Sequence, residues 1–279
     1  MIRTMRLGVT LAAAGALASI AAFAGTAMAG GGGGERGALV GGPFGGDGGF
    51  GAATFLPALG GANASSTLLR FVNAGSAAGT VTLTLYDAGT GAQVATYTSA
   101  SIASAAGLQV TLSQVISGAT PTLGSADQTR VYNVAATATF RGTVQALLNT
   151  GSAIVNQVAC GVGGRFLGYV EGPGFTNVTG AIRLSNPSTT AGTATFSIRD
   201  AATGTVLGTY TSASVPAHGN VTVTTAALAA ASSPVIPATT AALNIVQTAE
   251  TARLNVAHLA TVTGQTVASN LTPACGLHD

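Results

Sequence analysis

Residues 69–110 read LRFVNAGSAAGTVTLTLYDAGTGAQVATYTSASIASAAGLQV, and residues 182–223 read IRLSNPSTTAGTATFSIRDAATGTVLGTYTSASVPAHGNVTV. At a constant offset of 113 (183 minus 70), Arg70 meets Arg183, Asn73 meets Asn186, Asp87 meets Asp200, and Gly91 meets Gly204. The run Tyr-Thr-Ser-Ala-Ser at 97–101 meets the same five residues at 210–214. An internal repeat of this length marks two copies of one structural unit. Within each copy the hydrophobic period is two. Val81, Leu83 and Leu85 alternate with Thr80, Thr82 and Thr84, and Ala194, Phe196 and Ile198 keep the same phase against Thr193, Thr195 and Ser197. Side chains of a strand point alternately to opposite faces, so each run predicts a half-buried antiparallel strand with its apolar residues inward.

Each strand leads into Asp-Ala-Gly-Thr-Gly (87–91) or Asp-Ala-Ala-Thr-Gly (200–204), a turn with Gly available for positive φ, and then into a second β-rich run. Similar runs recur through each copy, roughly seven or eight of them in ~100 residues, which suits an immunoglobulin-like sandwich. Short apolar pieces at 112–117 and 226–232 predict a helical turn in one connection of each copy. The likeness extends outward: Phe55-Leu56 precedes the first copy as Phe166-Leu167 precedes the second, and Arg141 and Cys160 close the first as Arg253 and Cys275 close the second. The fold class is therefore all-β, two tandem antiparallel sandwiches. The predicted division is a signal peptide (1–29), a Gly-rich flexible leader (30–53), a first sandwich (54–160), a linker (161–164) and a second sandwich (165–279).

The series Leu-Arg-Phe-Val-Asn (69–73), Ala-Gly-Thr-Val-Thr-Leu-Thr-Leu-Tyr-Asp (78–87) and a Gly turn resembles tandem immunoglobulin-like modules of bacterial extracellular proteins, most of all the cell-adhesion-related group. The resemblance covers about forty residues of each repeat, and its motifs describe a sandwich rather than an activity. It implies modules that act as spacers, assembly units or adhesion domains.

The termini fit an exported chain. Arg3 and Arg6, an apolar run from Leu7 to about Gly25, and Ala27-Met28-Ala29 form the n-region, h-region and cleavage site of a secretory signal. No Cys follows that site, which argues against a lipid anchor, and the Ala-rich run is short for a retained span. Removing Arg3 and Arg6 from ten basic residues leaves eight against eight acids, a mature formal charge of zero. Such a chain offers no basic surface for nucleic acid. From Gly30 to Ala62 there are fifteen glycines, too few side chains to build a core over most of that stretch. It matches G-x-G-x-x-G at Gly32–Gly37 and Gly46–Gly51, but neither match follows an apolar strand or opens a helix, so the dinucleotide reading fails its context.

Chemistry-bearing residues are few and scattered. No G-x-S-x-G, H-E-x-x-H or C-x-x-C occurs, and the sequence points to no catalytic, cofactor or metal residue. His218 lies in a Pro-Ala-His-Gly turn, His278 in the tail, and His258 where the first copy has Ala146, which reads as a satisfied residue at a strand end. Arg70 and Arg183 fall out of phase with the core and face outward, and Asp87 and Asp200 read as Asx-turn residues rather than calcium ligands. The sequons at Asn63, Asn177, Asn220 and Asn270 are expected by chance in so Ser- and Thr-rich a chain.

Cys160 and Cys275 occupy matching places, and export favours a disulfide between them. Their Cα atoms would have to come within ~7 Å, with the domains side by side. Closing 115 residues (275 minus 160) would contribute about 5 kcal/mol in the chain-entropy model. Pairing of Cys275 with another subunit is the alternative. The expected function is that of a secreted, extracellular or cell-surface structural or adhesive protein, with the periplasm as the alternative compartment. Its expected partners are other surface proteins, itself or an extracellular polymer, with no nucleic acid and no membrane span after signal cleavage. An extracellular glycan- or protein-binding module is the rival class.

Overall fold

The computed structural model describes residues 43–44, 54–149, 154–156, 166–264 and 268–271 of the 279. The signal, the linker 161–164, His278, Cys160 and Cys275 lie outside the described residues, and so does most of the leader.

The alternating runs form strands where the period places them. In chain order they are β1 (Pro43–Phe44), β2 (Thr54–Gly60), β3 (Thr67–Asn73), β4 (Val81–Asp87), β5 (Gln93–Thr98), β6 (Gly107–Thr111), β7 (Val131–Ala138), β8 (Gly142–Asn149) and β9 (Ile154–Asn156). The second series is β10 (Phe166–Glu171), β11 (Val178–Ser185), β12 (Ala194–Asp200), β13 (Val206–Thr211), β14 (Asn220–Thr224), β15 (Ala242–Glu250), β16 (Asn255–Val262) and β17 (Ser269–Asn270). Helix α1 (Leu112–Ser117) follows β6, and α2 (Thr225–Ala231) follows β14. Both helices start on a threonine, Thr111 in a capping box with Gln114 and Thr224 accepting from the Ala227 N–H.

All pairing is antiparallel. The first series makes sheets β2-β7-β4-β5 and β1-β8-β3-β6, with β9 also on β8; the second makes β10-β15-β12-β13 and β14-β11-β16-β17. Strand for strand the orders match. With the seven shared strands lettered A to G along the chain, each sandwich is A-F-C-D over G-B-E. An immunoglobulin constant domain places A beside B and G beside F. Here the two terminal strands have exchanged sheets and D pairs with C instead of E; residues 139–141 carry the chain from β7 across to the opposite sheet instead of closing a hairpin. A second departure lies in the leader, where Pro43–Phe44 pairs with Thr143 and Gly142 at the edge of β8.

Each pair of sheets encloses its own core. Val81, Leu83 and Leu85 face Leu69, Phe71, Val144 and Ala146 in the first, while Ala194, Phe196 and Ile198 face Ile182, Leu184 and Val256 in the second. All six residues of the diagnostic runs are at most 1% exposed. Burying each large one contributes roughly 1.5–3 kcal/mol.

The Asn at the end of the Leu-Arg-Phe-Val-Asn motif is fully buried, and its role is to hold a loop. Asn73 Nδ2 donates to the Ala77 and Ile102 carbonyls while its Oδ1 accepts from the Gly75 N–H. Asn186 repeats this with Thr190, Val215 and Ser188. Ser99 and Ser212, from the shared Tyr-Thr-Ser-Ala-Ser run, accept from the N–H groups of Val81 and Ala194. The repeated polar residues therefore satisfy backbone groups that would otherwise be buried without partners. Among the described residues no helix is long and apolar enough to cross a membrane.

Candidate functional site

At one end of sheet β2-β7-β4-β5 the buried side chain of Asn133 meets a turn of the second sandwich. The site begins with a bulge. Register shifts between Leu56 and Leu59, placing Ala58 at φ 53 and turning its N–H onto the Oδ1 of Asn133 in β7 at 2.8 Å. Bulges re-aim backbone groups in this way. Asn133 is fully buried. The same Oδ1 accepts from Asn220 Nδ2 at 2.8 Å, and Asn133 Nδ2 donates to the His218 carbonyl at 2.7 Å. The Asn220 N–H donates to the Ala88 carbonyl at 2.8 Å, and the His218 ring stacks on Tyr86 with centroids 4.3 Å apart.

The turn at 216–220 thus enters the first sandwich as a knob. Gly91, at φ 73, closes the turn it touches, and a Cβ there would overlap the Ala217 carbonyl oxygen. Glycine is needed at this position for both conformation and close approach. Asp87 stiffens the receiving turn by accepting from the Gly89 and Thr90 N–H groups and the Thr90 hydroxyl. Partial burial pushes its carboxyl up, but the Thr90 hydrogen bonds and the Arg130 guanidinium outweigh this and leave it below its ordinary value. Asp200 forms the same Asx turn through Ala202 and Thr203, and the Thr203 hydrogen bonds lower its carboxyl too. Burial raises the Tyr86 hydroxyl, so the ring under His218 stays neutral.

The second sandwich carries a different cluster. Glu171, Thr225 and His258 stand where the first has Gly60, Leu112 and Ala146, so an apolar corner has become polar. His258 is 3% exposed, and its Nε2 lies 2.7 Å from Glu171 Oε2. The Thr225 hydroxyl donates to the Gly180 carbonyl at 3.2 Å. His258 and Glu171 satisfy each other, and Thr225 is satisfied by the backbone. His258 lies in the middle of β16 rather than at a strand end, and its partner is Glu171.

Arg70 donates to Gln109 Oε1 on the neighbouring strand from both Nε and Nη2, at 3.3 and 3.0 Å. Arg183 is different: its Nε is buried without a hydrogen-bond partner, and desolvation lowers its pKa. Asn220, a sequon residue, is occupied by the joint. Among the described residues no group of three or more His, Cys, Asp or Glu is placed to hold a metal ion.

His218 is legible in the sequence as a turn residue and Asp87 as an Asx residue, but the sequence does not mark Asn133, Tyr86 or Gly91 as joint residues. The available signal was Asn133 itself, an Asn inside an apolar strand that recurs as Asn244. In comparison with known proteins, neither a protein family nor a curated protein matches this chain.

Proposed function

We propose that the protein is a secreted or cell-surface structural protein, adhesive in character, that works through its β-sandwich modules and not by catalysis. The observation that carries this reading is the joint. Its most buried polar side chains, Asn133, Asn220 and His218 against Tyr86, fix one module relative to the next. Such a fixed spacing is what a spacer or assembly unit requires, and a near-zero mature charge with Thr-rich outer faces suits contact with other surface polymers. Binding of an extracellular glycan or protein is the second reading. It draws on the exposed aromatic rings of Tyr169 and Phe175 in the second sandwich.

Fractionation of producing cells, with protease treatment of intact cells, tests the proposal. Recovery of the chain in the surface or medium fraction, shorter by residues 1–29, is the expected result. Recovery only from the cytosol with the N-terminus intact would overturn it.

A further inference from the structure

The joint has two halves, a receiving face on the first sandwich and a knob on the second. Because the sandwiches are repeats, each also owns the other half. The receiving face recurs on the second sandwich, with Tyr169, Asn244, Arg199, Ala201 and Gly204 in place of Ala58, Asn133, Tyr86, Ala88 and Gly91. Its geometry is the same. Tyr169 sits in the matching bulge at φ 53 and donates its N–H to Asn244 Oδ1 at 3.0 Å, and Gly204 has φ 72. The knob recurs on the first sandwich at 103–107, where Ala105 has φ 57 against 55 for His218. The Ala106 carbonyl accepts from Asn73 as that of Gly219 accepts from Asn186.

Among the described residues both of these second halves are empty. A Cβ on Gly204 would meet nothing within 4 Å, whereas one on Gly91 would strike the knob. Asn244 Nδ2 has only a 3.5 Å contact with the Ala201 carbonyl, where Asn133 Nδ2 holds the knob's carbonyl. Residues 103–105 and 107 are exposed, while 216–220 are half-buried or buried. The free face carries large exposed apolar side chains at two positions where its occupied counterpart has others, while Arg199 stands where that counterpart has Tyr86. Tyr169 is 72% exposed where the first sandwich has Ala58, and Val206 is 50% exposed where it has Gln93. The free knob is correspondingly small, with Ala105 for His218 and Gly107 for Asn220. The larger knob meets Ala58 at its bulge position, whereas the smaller knob would meet Tyr169 there.

We propose that the Tyr169–Asn244–Gly204 face receives the 103–107 turn of a second copy, so that chains join head to tail by repeating their internal joint. Asn244 Nδ2 then donates to the Ala105 carbonyl and the Gly107 N–H to the Ala201 carbonyl, while Tyr169 fills the space that His218 fills within the chain. A contact between two different surfaces of one molecule is heterologous. It extends into a filament unless its rotation closes a ring. The inference deepens the structural role proposed above and rests on it.

The test uses the chain from residue 30 onward, in sedimentation velocity across a concentration series and in negative-stain images. The wild type is expected to form linear oligomers whose size grows with concentration. Gly204→Asn puts a side chain on the free face without touching the monomer, and Asn tolerates positive φ. Ala105→His enlarges the knob against Tyr169, and the matching residue His218 already adopts that backbone conformation. Each variant alone should raise the concentration for half-assembly at least about tenfold, the size of one lost contact. Mixed in equal amounts, they should give dimers and nothing larger, since one retains only its knob and the other only its face. A wild type that stays monomeric, or assembles equally well with Gly204→Asn, overturns the proposal. Surface fractionation reads the structural role separately, so a monomer found on the surface would sink the filament and leave that role standing.

Discussion

Asn133 and Asn244 occupy the same place in the two repeats, yet they hold different things. Both accept the N–H of a bulge residue, but Asn133 also accepts from Asn220 and donates to the His218 carbonyl. Losing a fully buried hub strands three partners, and each stranded buried group costs roughly 1–3 kcal/mol. Asn133→Ala is therefore expected to destabilise by about 2–4 kcal/mol and to loosen the joint. Asn244→Ala should cost about 1 kcal/mol and leave the joint intact. Urea unfolding of the two variants side by side checks this, and equal losses would remove Asn133 from its place at the joint. The residue scale is also where the sequence was hardest to read. The match to Ala146 marks His258 as a satisfied strand-end residue, whereas it sits in the middle of β16 and its partner Glu171 is 87 positions away, at a site where the other repeat has glycine. Periodicity tells which way a side chain points. It does not tell what waits there.

Elements were far more legible, because strand phase repeats every second residue and a wrong register would expose a whole apolar row. The runs at 80–86 and 193–198 settled β4 and β12 and their inward faces, and the two short helices fall where the apolar pieces at 112–117 and 226–232 place them. What was not legible is which sheet each terminal strand joins. β2 and β8 have apolar faces that would serve either sheet, and only the link at 139–141, too local to carry a pattern, sends β8 across to β3. The same logic separates the two faces of β12 energetically. Phe196 is 1% exposed in the core, so Phe196→Ala should cost about 3–5 kcal/mol. Its neighbour Thr195 faces outward beside Thr211, and Thr195→Ala should stay within about 0.5 kcal/mol. Thermal melts of both variants check the phase, and a reversed ranking would mean that β12 is turned over.

At the scale of the whole molecule the question is whether the sandwiches move as one body. Two modules joined only by a linker would diffuse and melt independently, as inter-domain contacts are small by default. Here the joint couples them through Asn133, the stacked Tyr86 and His218 rings, and the backbone bond from Asn220 to Ala88. All of these depend on the knob reaching full depth, and that depth is set by the missing side chain at Gly91. Gly91→Asn keeps a residue that tolerates φ 73, and Gly91 lies in a turn outside the core of its own sandwich, so the first module should fold as before. The knob, however, must withdraw to clear the new side chain, and every contact of the joint is lost together. The expected outcome is a larger radius of gyration in solution scattering, together with one cooperative melt separating into two. Gly204→Asn in a dilute monomer is the matched control, since that turn faces nothing among the described residues, and it should change neither reading. If Gly91→Asn left the scattering curve and the single melt unchanged, the close approach would not be what holds the modules together.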